Sequence, residues 1–259
     1  MRKPINGMPN VVTFGSCLSR YTSNHLVRLF GGKIISSVYH NRSDAFCGRL
    51  LDKNWHVDPI ENIRAVLLKE DEQSSDDDNK ASQILRNQYY DTIGLHRLSK
   101  GMPLFTAVQS GLVDLFVVDN YMDLAARLVS QKNKPDSGLF LRLNDFAAPA
   151  NQSGEQGWAT GDYLSPVAAT KCMYRILDFF KLNNPNARIV FINFSHNTYA
   201  NSPERVARTV EYERLFHYEQ CDIIPCLTIP KMNQTEDKMH FKPPQYAAYA
   251  GLIQGMLLR

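Results

Sequence analysis

The sequence has little net charge, no long apolar run and no paired cysteines. Its 29 Lys and Arg residues against 26 Asp and Glu leave a formal net charge of +3, which is too small to indicate a nucleic-acid surface. No run approaches the length of a membrane span, so no transmembrane helix is predicted. The five cysteines are scattered without a C-x-x-C pair, which argues against a disulfide framework or a structural zinc site.

Signatures of targeting and of bound cofactors are also missing. The N-terminus starts basic but lacks the apolar core of a signal peptide, so we expect a cytoplasmic location. Neither a glycine-rich dinucleotide fingerprint nor a phosphate-binding P-loop occurs. The histidines lack the spacing of metal ligands. We therefore expect no metal and no tightly bound cofactor.

The apolar runs that are present alternate with helical patterns along the whole chain of 259 residues. Such alternation predicts an α/β fold, a three-layer α/β/α sandwich with about five parallel strands in one domain over 1–259. Residues 131–162 are rich in Gly, Pro, Asn, Ser and Asp. A stretch of that length predicts a functional loop or a lid. The predicted strands are Val11–Phe14, Lys33–Tyr39, Leu112–Val118, Ala187–Phe194 and Asp222–Ile229.

The first of these strands stops at Gly15, and Ser16 and Cys17 follow before an amphipathic helix that runs to Phe30. A strand that turns sharply into a helix places its turn residues at the open end of the sheet. There they meet the free N–H groups and the positive end of the helix. These features suit a nucleophile and an oxyanion.

The other end of the chain offers a partner for this turn. Asp237 and His240 lie three positions apart in a loop that leads into the last helix. A carboxylate can orient an imidazole, which then serves as general base to a hydroxyl or a thiol. Because the carboxyl ends of parallel strands share one edge of a sheet, the two segments are predicted to meet there.

Three more polar residues follow predicted strands at the same edge: Asn41, Asn120 and His196. They are candidates for holding the oxyanion or the substrate. The two asparagines have an alternative role, because asparagine also caps turns.

Two short blocks resemble the SGNH/GDSL family of esterases and acyltransferases. Phe14-Gly15-Ser16-Cys17-Leu18-Ser19 is similar to the family's first block, Phe-Gly-Asp-Ser-Leu-Ser, and Asp237-Lys238-Met239-His240 to its last block, Asp-x-x-His. The resemblance implies a flavodoxin-like strand topology and makes Asn120 an oxyanion donor. The family's glycine after the second strand is replaced here by His40-Asn41.

The Gly-Ser-Cys turn also resembles the GSCFA-type branch and related polysaccharide-biosynthesis proteins, which implies work on capsule and other cell-surface glycans. Aligned on the glycine, the family's nucleophilic serine falls on Cys17. Ser16 remains the alternative nucleophile if the turn is shifted. A thiol at a helix N-terminus beside an imidazole is readily a thiolate.

A cysteine nucleophile also bears on the reaction. Attack on acyl-CoA exchanges one thioester for another, whereas attack on a sugar ester builds a higher-energy thioester. We therefore expect O-acyl (acetyl) transfer from acetyl-CoA or another acyl-CoA, as co-substrate, to a carbohydrate. Two alternatives stay open: a carbohydrate esterase of the same fold, and a non-catalytic protein that binds a glycan or an acyl carrier.

Overall fold

A parallel five-stranded sheet forms the centre of the protein, whose computed structural model describes residues 7–56, 58–60, 62, 80–95, 101–141, 157–199 and 201–259. The strands lie in the spatial order β2-β1-β3-β7-β8, which is the flavodoxin-like order of doubly wound sheets. The predicted α/β class with about five parallel strands is therefore confirmed. The sheet consists of β1 (Asn10–Gly15), β2 (Lys33–Tyr39), β3 (Leu115–Asp119), β7 (Arg188–Ile192) and β8 (Asp222–Ile224).

Helices flank this sheet in two groups. The first helix packs against the last, whereas the helix Pro166–Asn183 packs against Ser43–Phe46 and Pro203–Leu215. None of the helices in the described ranges has both the length and the apolar character that crossing a bilayer requires. The helices are α1 (Cys17–Phe30), α2 (Ser43–Phe46), α3 (Lys80–Arg86), α4 (Leu104–Gln109), α5 (Tyr121–Ala125), α6 (Pro166–Asn183), α7 (Pro203–Leu215) and α8 (Pro243–Leu257).

The main core is aromatic where the sheet meets α2 and α6. Phe14 on β1 lies edge-on to Phe46, with ring centroids 5.0 Å apart. Phe116 on β3 stacks on Phe180 of α6 at 4.3 Å. All four side chains are buried, and this packing fixes the position of β1, whose carboxyl end carries the Gly-Ser-Cys turn.

A second, antiparallel sheet of three strands lies outside the predicted architecture. It has the order β5-β4-β6 and is built from β4 (Arg127–Gln131), β5 (Lys134–Leu139) and β6 (Trp158–Tyr163). Its apolar side buries Val129, Leu139 and Trp158 against α3 in a small separate cluster.

The segment predicted as one loop over 131–162 therefore contains strands at both of its ends. Apolar residues do not alternate regularly in those strands, and β5 contains a proline and a glycine, so the pattern that marks a strand is weak there. Residues 142–156 of the segment lie outside the described residues, and the lid remains a prediction.

Candidate active site

The Gly-Ser-Cys turn connects β1 to α1 at the carboxyl edge of the sheet. Gly15 has a φ of +138°, and a Cβ at this position would lie 2.6 Å from the carbonyl oxygen of Asp119. Only glycine fits such a position without strain. Ser16 is the N-cap of α1, and its Oγ accepts a hydrogen bond of 3.0 Å from the N–H of Leu18.

A buried carboxylate from β3 holds this turn in place. Asp119 Oδ2 accepts hydrogen bonds from the N–H groups of Ser16 at 2.8 Å and Ser19 at 2.9 Å. Its Oδ1 accepts from the N–H of Tyr121 at 2.9 Å. Burial raises the pKa of Asp119, and these three hydrogen bonds oppose the rise by stabilising the carboxylate. Asp119 is thus the anchor of the turn, a role that nothing in its local sequence indicated.

Cys17 is the first residue of α1 and is half-buried. Its sulfur lies close enough to His240 and to Tyr21 to raise the pKa of each. The N–H groups of Leu18 and Ser19 are used by Ser16 and Asp119. The N–H of Cys17 has no partner within the helix, because the first helical residues have none. A thiol and a hydrogen-bond donor for an oxyanion therefore occur on the same residue.

The Asp237–His240 loop faces this thiol. His240 Nδ1 lies 2.6 Å from Asp237 Oδ2, which leaves Nε2 for the sulfur of Cys17. Asp237 Oδ1 accepts hydrogen bonds from the N–H groups of Met239 at 2.9 Å and His240 at 3.0 Å. The hydroxyl of Thr235 donates to the same oxygen at 2.7 Å. The predicted partners Cys17, His240 and Asp237 are thus brought together in one array.

The electrostatics of this array favour a charged imidazole. The hydrogen bond with Cys17 raises the pKa of His240 to about 9; burial opposes the rise, and the hydrogen bond with Asp237 adds to it. Partial burial would raise the pKa of Asp237, but the hydrogen bonds from His240 and Thr235 hold it well below its ordinary range. At neutral pH, His240 is therefore protonated and lies between a carboxylate and a sulfur atom.

The side-chain amides of Asn120 and Asn41 form hydrogen bonds within the protein. Asn120 is buried, its Nδ2 donates to Asn193 Oδ1 at 3.2 Å, and its Oδ1 accepts from the N–H of Phe194 at 2.8 Å. Asn41 donates from Nδ2 to the carbonyl oxygens of Tyr39 at 3.1 Å and Asn87 at 2.6 Å.

These contacts change the expectation for Asn41. Both hydrogens of its amide are in use, so no donor is left for an oxyanion, and the alternative role of fixing a turn fits the structure. Asn120 donates only one described hydrogen bond from its amide. It directly follows Asp119, which binds the Gly-Ser-Cys turn, so its role as an oxyanion donor stays a prediction.

His196 is half-buried in the loop after β7. Its ring Nδ1 is buried, and no hydrogen-bond partner for it occurs among the residues that the structure describes. The substrate contact expected for His196 stays a prediction.

Aromatic residues around the thiol were missed from the sequence. Tyr21 packs on Tyr246 with ring centroids 5.3 Å apart and lies 6.4 Å from the ring of His240. Arg20 lies over the ring of Tyr39 at 5.6 Å. The position of Tyr21, four residues after Cys17 on one helix, was a usable signal, because side chains at this spacing are neighbours.

In the described part of the chain, no group of three or more His, Cys, Asp or Glu side chains is arranged to hold a metal ion. The arrangement at Cys17 can instead support nucleophilic attack by sulfur and proton transfer by an imidazole.

No protein-family model and no curated protein matches the sequence. Among solved structures, a protein from Streptococcus pneumonia named for platelet activating factor is 14% identical over 97% of this chain and 85% of that chain, with a TM-score of 0.43. A carbohydrate esterase of family 2 from Corynascus thermopiles is 10% identical over 98% of this chain and 68% of that chain, with a TM-score of 0.44.

An acetyl xylan esterase from Butyrivibrio proteoclasticus is 11% identical over 98% of this chain, with a TM-score of 0.41. The chain covers 64% of that esterase, which is less than two thirds of its length. At such identities and TM-scores, these likenesses carry no conclusion about function.

Proposed function

We propose that the protein is an SGNH-type acyltransferase that moves an acetyl or other acyl group from acyl-CoA to a carbohydrate hydroxyl through Cys17. The observation that carries this proposal is the array at the edge of the sheet. The Cys17 thiol lies beside His240 and raises its pKa, and His240 Nδ1 lies 2.6 Å from Asp237 Oδ2. The carbohydrate acceptor, a surface polysaccharide, rests on the resemblance of the Gly-Ser-Cys turn to polysaccharide-biosynthesis proteins.

In the first half of the reaction, the Cys17 thiolate attacks the thioester carbonyl, and the N–H of Cys17 donates to the oxyanion that forms. Collapse of this intermediate breaks the bond to the CoA sulfur, which takes a proton from His240. The products are acyl-Cys17, CoA and a neutral imidazole.

In the second half, neutral His240 removes the proton from a sugar hydroxyl as its oxygen attacks acyl-Cys17. The Cys17 thiolate leaves, and His240 is again protonated. Asp237 fixes the ring orientation and stabilises the imidazolium in both halves.

The protonation state of His240 supports a thiol in preference to a hydroxyl as the nucleophile. The raised pKa of His240, about 9, favours an imidazole that carries its proton at neutral pH, which suits a nucleophile that needs no base. A thiolate needs no such base, and the imidazolium is already positioned as an acid. Ser16 is in addition buried, and its Oγ caps α1.

The test is the intact mass of the protein after brief exposure to acetyl-CoA. We expect an acetyl adduct on the wild type and on Ser16→Ala, and none on Cys17→Ala; His240→Ala should be much slower. Cys226→Ala is the matched control, because Cys226 is also free and half-buried and should not affect the adduct.

Two results would contradict acyl transfer from acyl-CoA. Release of acetate from acetylated sugars without any adduct from acetyl-CoA would favour the carbohydrate esterase. Tight sugar or acyl-carrier binding with an unreactive Cys17 would favour a non-catalytic binding protein.

A further inference from the structure

Arg205 and two tyrosines meet at the edge of the sheet that carries Cys17. Arg205 lies in the first turn of α7, which follows β7. Tyr199 ends the 3₁₀ turn Asn197–Tyr199 before that helix, and Tyr121 opens α5 directly after β3. All three therefore come from connections at the carboxyl ends of parallel strands, where ligands of such sheets bind.

The guanidinium of Arg205 lies over two aromatic rings. Its central carbon lies 3.9 Å from the ring centroid of Tyr199 and 5.9 Å from that of Tyr121. The two rings are nearly parallel, with centroids 6.5 Å apart. Stacking uses the face of a guanidinium and leaves its N–H donors pointing outward in the plane.

Within the described ranges, Arg205 forms no ion pair. Arg205 is half-buried, and no hydrogen bond or salt bridge among the described residues engages its guanidinium. A half-buried, oriented arginine without an acceptor is ready to bind a carboxylate or a phosphate.

A second cation adds to the positive charge at this place. Arg208 lies one helical turn further on, stacks on Tyr163 at 4.1 Å and donates to the carbonyl oxygen of Leu124 at 3.2 Å. Burial and the like charge of Arg205 lower the pKa of Arg208, although Tyr163 and the neighbouring Glu204 oppose this effect. The two guanidinium groups are therefore close enough to repel each other, which an anion between or beside them would relieve.

Tyr121 connects this cluster with the turn that carries the thiol. The N–H of Tyr121 and the N–H of Ser16 bond to the two oxygens of one carboxylate, that of Asp119. Burial raises the pKa of Tyr121, and both Asp237 and Cys17 are near enough to raise it further. A ligand held at Arg205 and Tyr121 would therefore lie at the same edge of the sheet as the reacting sulfur.

We infer that Arg205, stacked on Tyr199 and Tyr121, binds an anionic group of the substrate that reacts at Cys17. The chemical class is a phosphate on the acyl donor or a carboxylate on the acceptor sugar. The role of this group in a reaction rests on the proposed function, whereas its binding does not and can be measured without turnover.

Binding is tested by calorimetric titration of the full chain with CoA, inorganic pyrophosphate and glucuronate. We compare the wild type with Arg205→Gln and with Arg214→Gln, an exposed arginine in the last turn of the same helix. We expect Arg205→Gln to raise the Kd at least about tenfold, or about 1.4 kcal/mol, and Arg214→Gln to change it little.

The three probes distinguish the two sources of the anion. Weaker binding of CoA and pyrophosphate in Arg205→Gln assigns the site to the donor's phosphates, and weaker binding of glucuronate assigns it to the acceptor's carboxylate. Unchanged binding of all probes in Arg205→Gln, equal losses in both variants, or no binding to the wild type would overturn the inference. If Arg205→Gln fails to fold, Arg205→Lys replaces it, with a smaller loss expected because the charge remains but the planar donors do not.

The rate of Cys17 acylation distinguishes a failure of this inference from a failure of the proposed function. If the bound anion is the donor's phosphate, Arg205→Gln should slow labelling by acetyl-CoA at least about tenfold more than labelling by the neutral thioester N,S-diacetylcysteamine. A failure of every thioester to label Cys17 would contradict acyl transfer and leave the binding result standing. Equal slowing with both thioesters, together with unchanged CoA binding, would contradict the role of Arg205.

Discussion

The Gly15–Cys17 turn and the Asp237–His240 loop meet at one edge of the sheet, but they are held there by different means. The turn depends on Asp119, which accepts its hydrogen bonds from 103 positions along the chain and is buried. The loop is stabilised by hydrogen bonds among its own residues, within the six positions from Thr235 to His240. The side chain of Asp237 is 41% exposed.

This difference indicates where stability and chemistry can be separated. A substitution that disturbs the turn should also destabilise the packed sheet, because the same buried carboxylate serves both. A substitution in the loop should change proton transfer and leave the fold intact, because few long-range contacts depend on it.

The largest effect is expected from Asp119→Ala. It leaves the N–H groups of Ser16, Ser19 and Tyr121 without their acceptor, and unpaired buried donors cost about 1–3 kcal/mol each. We expect the free energy of unfolding to fall by about 3 kcal/mol or more, as measured by urea denaturation, together with loss of Cys17 acylation.

Asp114→Ala is the matched control for this variant. Asp114 Oδ2 accepts one backbone N–H, that of Asn10 at 2.8 Å, at the start of β1. A loss of about 1 kcal/mol is expected there. Equal losses in the two variants would mean that the turn has no special dependence on Asp119.

The second-largest effect is expected in the Asp237–His240 loop. It should change the rate of Cys17 acylation and leave the stability unchanged. Asp237→Asn removes the charge that stabilises the imidazolium of His240, and we expect acylation of Cys17 to slow by about 10²-fold or more. The thermal midpoint should stay close to that of the wild type, since both side chains are partly exposed. A variant as fast as the wild type, or one that unfolds readily, would remove the distinction between the loop and the turn.

The sequence was sufficient for those parts of the fold with a strong local pattern. The strand Lys33–Tyr39 has the bounds that its β-branched residues predicted, and the continuous apolar runs at β3 and β7 are buried strands. The strands at 134–139 and 158–163 were missed, because their apolar residues do not alternate regularly and their apolar partners on α3 lie far away in the sequence.

In the candidate site as well, the residues with a local sequence pattern were predicted and those that depend on distant contacts were not. The short blocks around Cys17 and around Asp237 located the residues that the structure brings together, and their catalytic roles remain predictions. The functions of Asp119 and Asn41 depend on contacts 103 and 46 positions away, which no local pattern could reveal. Arg205 was missed although Tyr199 precedes it in the same connection, because Tyr121 comes from the connection after β3 and nothing local marks the cluster.

Ser16→Ala should have a smaller effect than Asp119→Ala or Asp237→Asn, and it should change the stability alone. It removes the hydroxyl that accepts the N–H of Leu18 and caps α1, and loss of an N-cap costs about 1 kcal/mol. Acylation by acetyl-CoA should continue, because Cys17 and its contacts with His240 remain. Abolition of acylation in Ser16→Ala, with Cys17→Ala fully active, would instead make Ser16 the nucleophile.

The smallest effect is the dependence of stability on pH that His240 introduces. Its pKa is raised from 6.5 to about 9 in the folded protein, first by the hydrogen bond with Cys17. Because the folded pKa is the higher one, this contribution is fully present below pH 6.5 and is lost as the pH rises through about 9. The side chain is 39% exposed, so solvent screening keeps the gain small.

Urea denaturation of the wild type and of His240→Gln should therefore give free energies of unfolding that differ most at acid pH and converge in alkali. A nuclear magnetic resonance titration should show a lower His240 pKa in Cys17→Ala; a difference that grows with pH, or an unchanged pKa in that variant, would mean that the thiol and the imidazole do not interact as the array requires.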